Sequence, residues 1–157
     1  MNQKSYALIG TAGPALLLAG ALALQHIDNL VPCELCIWQR WPHLAAMAFG
    51  FGFLLSGNRA FAILAITALV AGSGVAFFHV GVEQNWWAGL SSCSGVGLAE
   101  MTGRELLDFS QAENIARCDD VAWSMLGLSM AAWNGLLSLC IATSWCLAIT
   151  TRNPTRA

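Results

Sequence analysis

Charged residues are confined to a few intervals of this chain, and four uncharged stretches run between them: 6–24, 41–58, 60–82 and 121–151. Each is close to the ~18–20 apolar residues needed to cross the hydrocarbon core of a bilayer. The pattern predicts an all-α membrane protein, a single four-helix bundle over 1–157. Its helices are expected near 6–24, 41–57, 60–82 and 121–149, with outer loops at 25–40 and 83–120. Ser56-Gly57-Asn58 reads as a tight turn, so the second and third helices form an antiparallel pair. Pro32 and Pro42 are alternative starts for the second helix.

Composition removes the soluble alternative. Charged residues are 10% of the 157 and hydrophobic residues 57%, against about 25% charged in a soluble domain. Too little polar sequence remains to cover four apolar helices. Lys4 followed by an apolar run also resembles a signal peptide. The run exceeds the usual ~7–15 residue core of such a peptide, and an anchor is the favoured reading.

Charge placement predicts orientation. All nine acidic residues lie in two segments, 28–34 and 83–120, whereas Lys4, Arg59, Arg152 and Arg156 sit at the opposite helix ends. Basic residues near helix ends mark the cytoplasmic side. Both termini are therefore expected in the cytoplasm and both acidic loops outside. Trp38, Trp41, Trp86, Trp87 and Trp123 fall at the outer ends, as an interfacial aromatic belt does. Leu98, Met101, Leu106, Leu107, Phe109 and Ile115, interspersed with charges, suggest a short interfacial helix in the second loop. An irregular loop held by a disulfide accounts for them nearly as well.

Six cysteines carry the candidate chemistry. Cys33 and Cys36 form a C-x-x-C pair in the first outer loop, and Cys93 and Cys118 lie in the second. Cys140 and Cys146 lie in the fourth helix, six positions apart and so on different faces. They are expected to serve packing, as buried free cysteines commonly do. A C-x-x-C is half a zinc site, a structural staple or a redox dithiol. Cys93, Cys118 and His26 could complete a zinc set, but an extracytoplasmic position favours disulfide chemistry.

If a helix starts at Pro32, Cys33 and Cys36 lie at its positive end, which favours the thiolate. Arg40 follows Cys36 by four residues, close to one helical turn. Its cation could stabilise a thiolate or an anionic oxygen on a cofactor. His79, near the outer end of the third helix, is an ionisable residue of a kind often functional within membrane segments.

Four segments resemble the DsbB family of quinone-linked membrane thiol oxidases: CELCIWQRWPH (33–43), FHVGVEQNWW (78–87), CDDVAW (118–123) and LGLSMAAWN (126–134). The resemblance implies that Cys93 and Cys118 form a disulfide that reoxidises a periplasmic thioredoxin-like oxidase of the DsbA type. It implies that electrons then pass to Cys33 and Cys36, through a transient Cys33–Cys118 bond, and on to a membrane quinone, ubiquinone or menaquinone. Cys36, Arg40 and His79 would bind that quinone. The bacterial inner membrane is the implied location, membrane lipid the other partner, and no nucleic acid is expected.

Two alternatives compete. A vitamin K epoxide reductase-like enzyme also combines four helices, C-x-x-C and a quinone, but there the C-x-x-C follows the loop pair. A non-enzymatic scaffold with structural disulfides leaves Arg40 unexplained.

Overall fold

The computed structural model describes residues 2–90 and 117–151. Cys93 and the segment read as an interfacial helix lie outside the described residues. Helix α1 (Gln3–His26) starts earlier than its charge-free run because the Asn2 side chain accepts from the Ser5 N–H at 2.9 Å and caps it. Helix α2 (Glu34–Trp38) is a short turn preceding α3 (Arg40–Ser56). Pro42 divides them. It has no N–H for the Trp38 carbonyl, and its ring crowds that oxygen. Gln39 between them keeps helical angles, φ −67° and ψ −18°, so α3 continues in nearly the same direction. Arg40 is therefore the first residue of α3, where a helix starting at 41 was expected.

Gly57 ends α3 in the left-handed conformation, φ 67°, with its N–H 2.7 Å from the Phe53 carbonyl. Glycine adopts that geometry without a Cβ clash. Asn58 then caps α4 (Arg59–Glu83) by accepting from Ala60 N–H.

The expected fourth helix, 121–149, requires correction. Helix α5 spans Met130–Thr150, and the residues before it form a hairpin of β1 (Ser124–Met125) and β2 (Leu128–Ser129). Ser124 pairs with Ser129 and Met125 with Leu128. Leu126 and Gly127 turn the chain with φ 54° and 78°, the two positive angles a type I′ hairpin requires. Ser129 both closes the hairpin and caps α5 by accepting from Ala132 N–H. The LGLS part of the fourth motif thus belongs to a turn.

The four long helices close a ring in which α1 and α4 each pack against α3 and α5. Helices α1, α4 and α5 are each long and apolar enough to cross a membrane. Helix α3, at 17 residues, is shorter. The distribution of side-chain size agrees with a lipid surround. Ala7, Ala46, Ala62, Ala65 and Ala76 are fully buried, while Leu16, Leu55, Phe51 and Ile63 face outward. Small residues inside let helix backbones approach, and lipid accepts the large ones. At the α1–α5 seam a Cβ on Gly10 would lie 2.5 Å from the Trp145 ring.

Cys140 and Cys146 are exposed on the outer surface of α5, which corrects their expected place in the packed interior. Inside a membrane bundle the buried stripe is marked by small size, and an apolar residue can face either way.

Candidate active site

Cys33 is the N-cap of α2. Its sulfur accepts from the Cys36 backbone N–H at 3.3 Å, and the two sulfurs lie 2.8 Å apart as free thiols. Whichever thiol ionises, the other donates to it. Cys33 takes the charge. Donation from the Cys36 side chain, together with His79 alongside, pulls the Cys33 thiol down to about 5 against the cost of burial. The same shared proton and burial push Cys36 up.

His79 arrives from α4 with Nε2 3.6 Å from the Cys33 sulfur, and Glu83, one turn further on, has Oε1 3.9 Å from the same nitrogen. The other imidazole nitrogen, Nδ1, lies 3.0 Å from Nε2 of the Gln39 amide. Gln39 in turn accepts at Oε1 from Asn134 of α5 at 2.5 Å. A buried polar chain thus crosses the end of the bundle from Cys33 through His79 and Gln39 to Asn134.

Cys118 is fully buried and held in a disulfide. Its sulfur, the Cys33 sulfur and a His79 ring nitrogen all lie within 4.8 Å of one another. Near-attack geometry needs about 3–3.5 Å, a shift of at most about 2 Å. Three such atoms could also hold a metal ion, but the strong ligand is the thiolate, and Cys118 is not one in this state. His26, the other zinc candidate, is exposed at the end of α1.

On the far side of Gln39 lies a cavity of about 230 Å³ among α1, α3 and α5, lined by residues such as Leu17, Ala21, Leu24, Met130 and Leu137. Cys36, Gln39, Arg40, His43, Gln25 and Asn134 supply its polar lining. Three buried atoms on that lining, Gln25 Oε1, Arg40 Nε and His43 Nδ1, have no hydrogen-bond partner among the described residues. A buried donor left unmade costs roughly 1–3 kcal/mol, so the lining is suited to a flat apolar ligand that carries hydrogen-bonding oxygens.

The family resemblance grouped Cys36, Arg40 and His79 around one cofactor. Cys36 and Arg40 do share the cavity wall, whereas His79 faces Cys33 and lines a second cavity, about 210 Å³, with Cys33, Cys36 and Glu83. Glu83, Gln39, Asn134, His43 and Gln25 were not singled out. Glu83 had a signal, four residues after His79 at the end of an apolar run. Asn134 and His43 had another, as polar residues within uncharged helices.

The family Disulfide bond formation protein DsbB matches residues 3–148. Disulfide bond formation protein B of Stutzerimonas stutzeri is 31% identical, covering 92% of this chain and 94% of its own length. The protein of that name from Chromohalobacter salexigens is 33% identical over 85% of this chain and 82% of its own length. That from Xylella fastidiosa (strain Temecula1) is 32% identical over 75% and 73%. No solved structure matches at a significant level. With its apolar helices and its cysteine pair at the start of α2, the chain belongs to the DsbB family of membrane disulfide bond formation proteins.

Proposed function

We propose that this protein reoxidises a periplasmic thioredoxin-like dithiol oxidase of the DsbA type and delivers the electrons, through two cysteine pairs, to a membrane quinone. One observation carries the reading. The disulfide sulfur of Cys118 approaches Cys33, and Cys36, its neighbour, opens onto an apolar cavity that also presents Arg40.

The chemistry is thiol–disulfide exchange in series. A partner thiolate attacks Cys93, breaks the Cys93–Cys118 bond and releases Cys118. The partner's second thiolate breaks the mixed disulfide, so the partner leaves oxidised and Cys93 and Cys118 are reduced. Cys118 attacks Cys33 of an oxidised Cys33–Cys36 pair, forms a Cys33–Cys118 bond and releases Cys36. Cys93 attacks Cys118, restores their disulfide and expels Cys33. The low pKa of Cys33 suits it to leave. Two electrons and two protons, counted with the thiols, then reside on Cys33 and Cys36.

A quinone supplies an acceptor for two electrons and two protons, and the Cys33–Cys36 disulfide closes as they are given up. The cavity fits such a group: its walls are apolar, and Arg40 Nε is a buried donor awaiting an acceptor. Arg40 would hold an oxygen and stabilise charge developing there. Asn134 and His79 orient Gln39 between the two sites.

In this reading both termini are cytoplasmic, α3 is the fourth span, and the cysteine end faces the periplasm across a bacterial inner membrane. Acid-quenched thiol trapping tests it. After reduction by a dithiol partner, Cys33 and Cys36 should accumulate as thiols without quinone and return to a disulfide when quinone is added. Cysteine states indifferent to quinone would establish a structural role. Impermeant thiol labelling of Cys93 after reduction, from the cytoplasmic side only, would reverse the orientation.

A further inference from the structure

His43 is the feature that this mechanism leaves unused. It sits on α3, is 3% exposed and lines the apolar cavity. Buried polar atoms in folded proteins are nearly always paired, yet His43 Nδ1 makes no hydrogen bond among the described residues, although the Asn134 side chain on the same cavity wall is close enough to interact with the ring. Arg40 Nε, unpartnered on the same lining, is three residues earlier. Three residues of α-helix rise about 4.5 Å and bring both side chains to one face. Cys36 lies about one turn before Arg40. Thiol, guanidinium and imidazole thus follow one another along one wall of the cavity.

We propose that His43 is the second recognition residue of this cavity. Arg40 holds one ring oxygen, and His43 holds the oxygen on the opposite side of the ring through Nδ1–H. The site thereby selects rings with two opposed carbonyls, the 1,4-quinones, over rings with one. This rests on the reading of the cavity as a quinone site and adds the residue that discriminates within it.

Binding tests it without turnover. The purified full chain, oxidised and in a lipid nanodisc, is titrated with a short-tailed 1,4-benzoquinone, and quenching of tryptophan fluorescence is read, Trp133 being on the cavity wall. A competitor with the same tail on a 4,4-dimethylcyclohexa-2,5-dienone ring, which presents one carbonyl and cannot tautomerise to a phenol, is then used to displace the quinone. Wild type should prefer the quinone by about three- to ten-fold, the range for one neutral hydrogen bond. His43→Leu should lose that preference by weakening the quinone and leaving the competitor unchanged. His43→Gln, which keeps an N–H donor, should restore part of it. Equal weakening of both ligands, or quinone affinity unchanged in His43→Leu, overturns the proposal. If His43→Leu fails to fold, the wild-type preference and its behaviour in His43→Gln decide: no preference in wild type overturns it. Absence of any quinone binding to wild type overturns the quinone reading itself, a result distinct from binding without discrimination.

Discussion

Two buried histidines stand on either side of Gln39, and their surroundings differ. Both ring nitrogens of His79 are engaged, one near Cys33 and Glu83 and the other near Gln39. His43 faces an apolar cavity with Nδ1 unpartnered, beside Arg40 Nε and Gln25 Oε1 in the same condition. The polar groups near Cys33 are mostly arranged among themselves, Glu83 Oε2 aside, as suits a site that exchanges bonds within the protein. Those in the cavity await something from outside it. Similar residue types at similar burial have two tasks, set by whether the chain itself completes their hydrogen bonds.

The sharpest way to break this contrast is to remove a sulfur. Cys33→Ser should abolish electron transfer to quinone, while the Cys93–Cys118 pair still oxidises one equivalent of a dithiol partner. Single-turnover trapping reads this, and continued multiple turnover would exclude Cys33 from the path. Next in size is Arg40→Ala, for which a charge-assisted hydrogen bond of roughly 1.5–3 kcal/mol implies about ten- to hundred-fold weaker quinone affinity. Arg40→Lys should be intermediate, keeping the charge without the planar fork. Steady-state turnover against quinone concentration checks both, and an unchanged dependence in Arg40→Ala would reduce the residue to an interfacial anchor.

A smaller effect separates the two histidines. Cys33 ionises near 5, held there first by Cys36 and then by His79, so in the reduced protein it is a thiolate at all higher pH. His79→Asn should move that midpoint up toward the ordinary thiol range. Cys33 then becomes a poorer leaving group, and the acid limb of turnover moves to higher pH. Quinone affinity should stay within about two-fold, since His79 is not on the cavity wall. Thiolate absorbance against pH, paired with a quinone titration, decides; lost quinone affinity with an unmoved midpoint would place His79 at the cofactor. The smallest effect is expected from replacing Cys140 and Cys146 together by Ala. Both are exposed on α5, and turnover should match wild type.

Much of this was legible in the chain because charge and proline act locally. The apolar runs located the long helices, Ser56-Gly57-Asn58 marked the turn, and Pro42 marked the break between α2 and α3 through one missing N–H. The hairpin before α5 was not legible. Val121 to Ser129 is uncharged and apolar, as a helix in lipid would be, and Leu126 holds a positive φ usually reserved for glycine or asparagine. The outward position of Cys140 and Cys146 was equally hidden, because hydrophobicity does not distinguish core from lipid. Gln39 looked like an ordinary polar residue beside Arg40; its role depends on His79 and Asn134, which are 40 and 95 residues away in sequence.

Gln39 carries one more consequence. A neutral amide joins His79 to Asn134, and it has no group that titrates near neutral pH. It can align the two compartments but cannot conduct a proton between them. The direct route between the thiols and the cavity is then Cys36, which shares its proton with Cys33 and lies on the cavity wall. Gln39→Glu would place a titratable bridge in that wall. Quinone affinity should then depend on pH more steeply than in wild type, and a profile unchanged from wild type would show that the neutrality of Gln39 does not matter to the cavity.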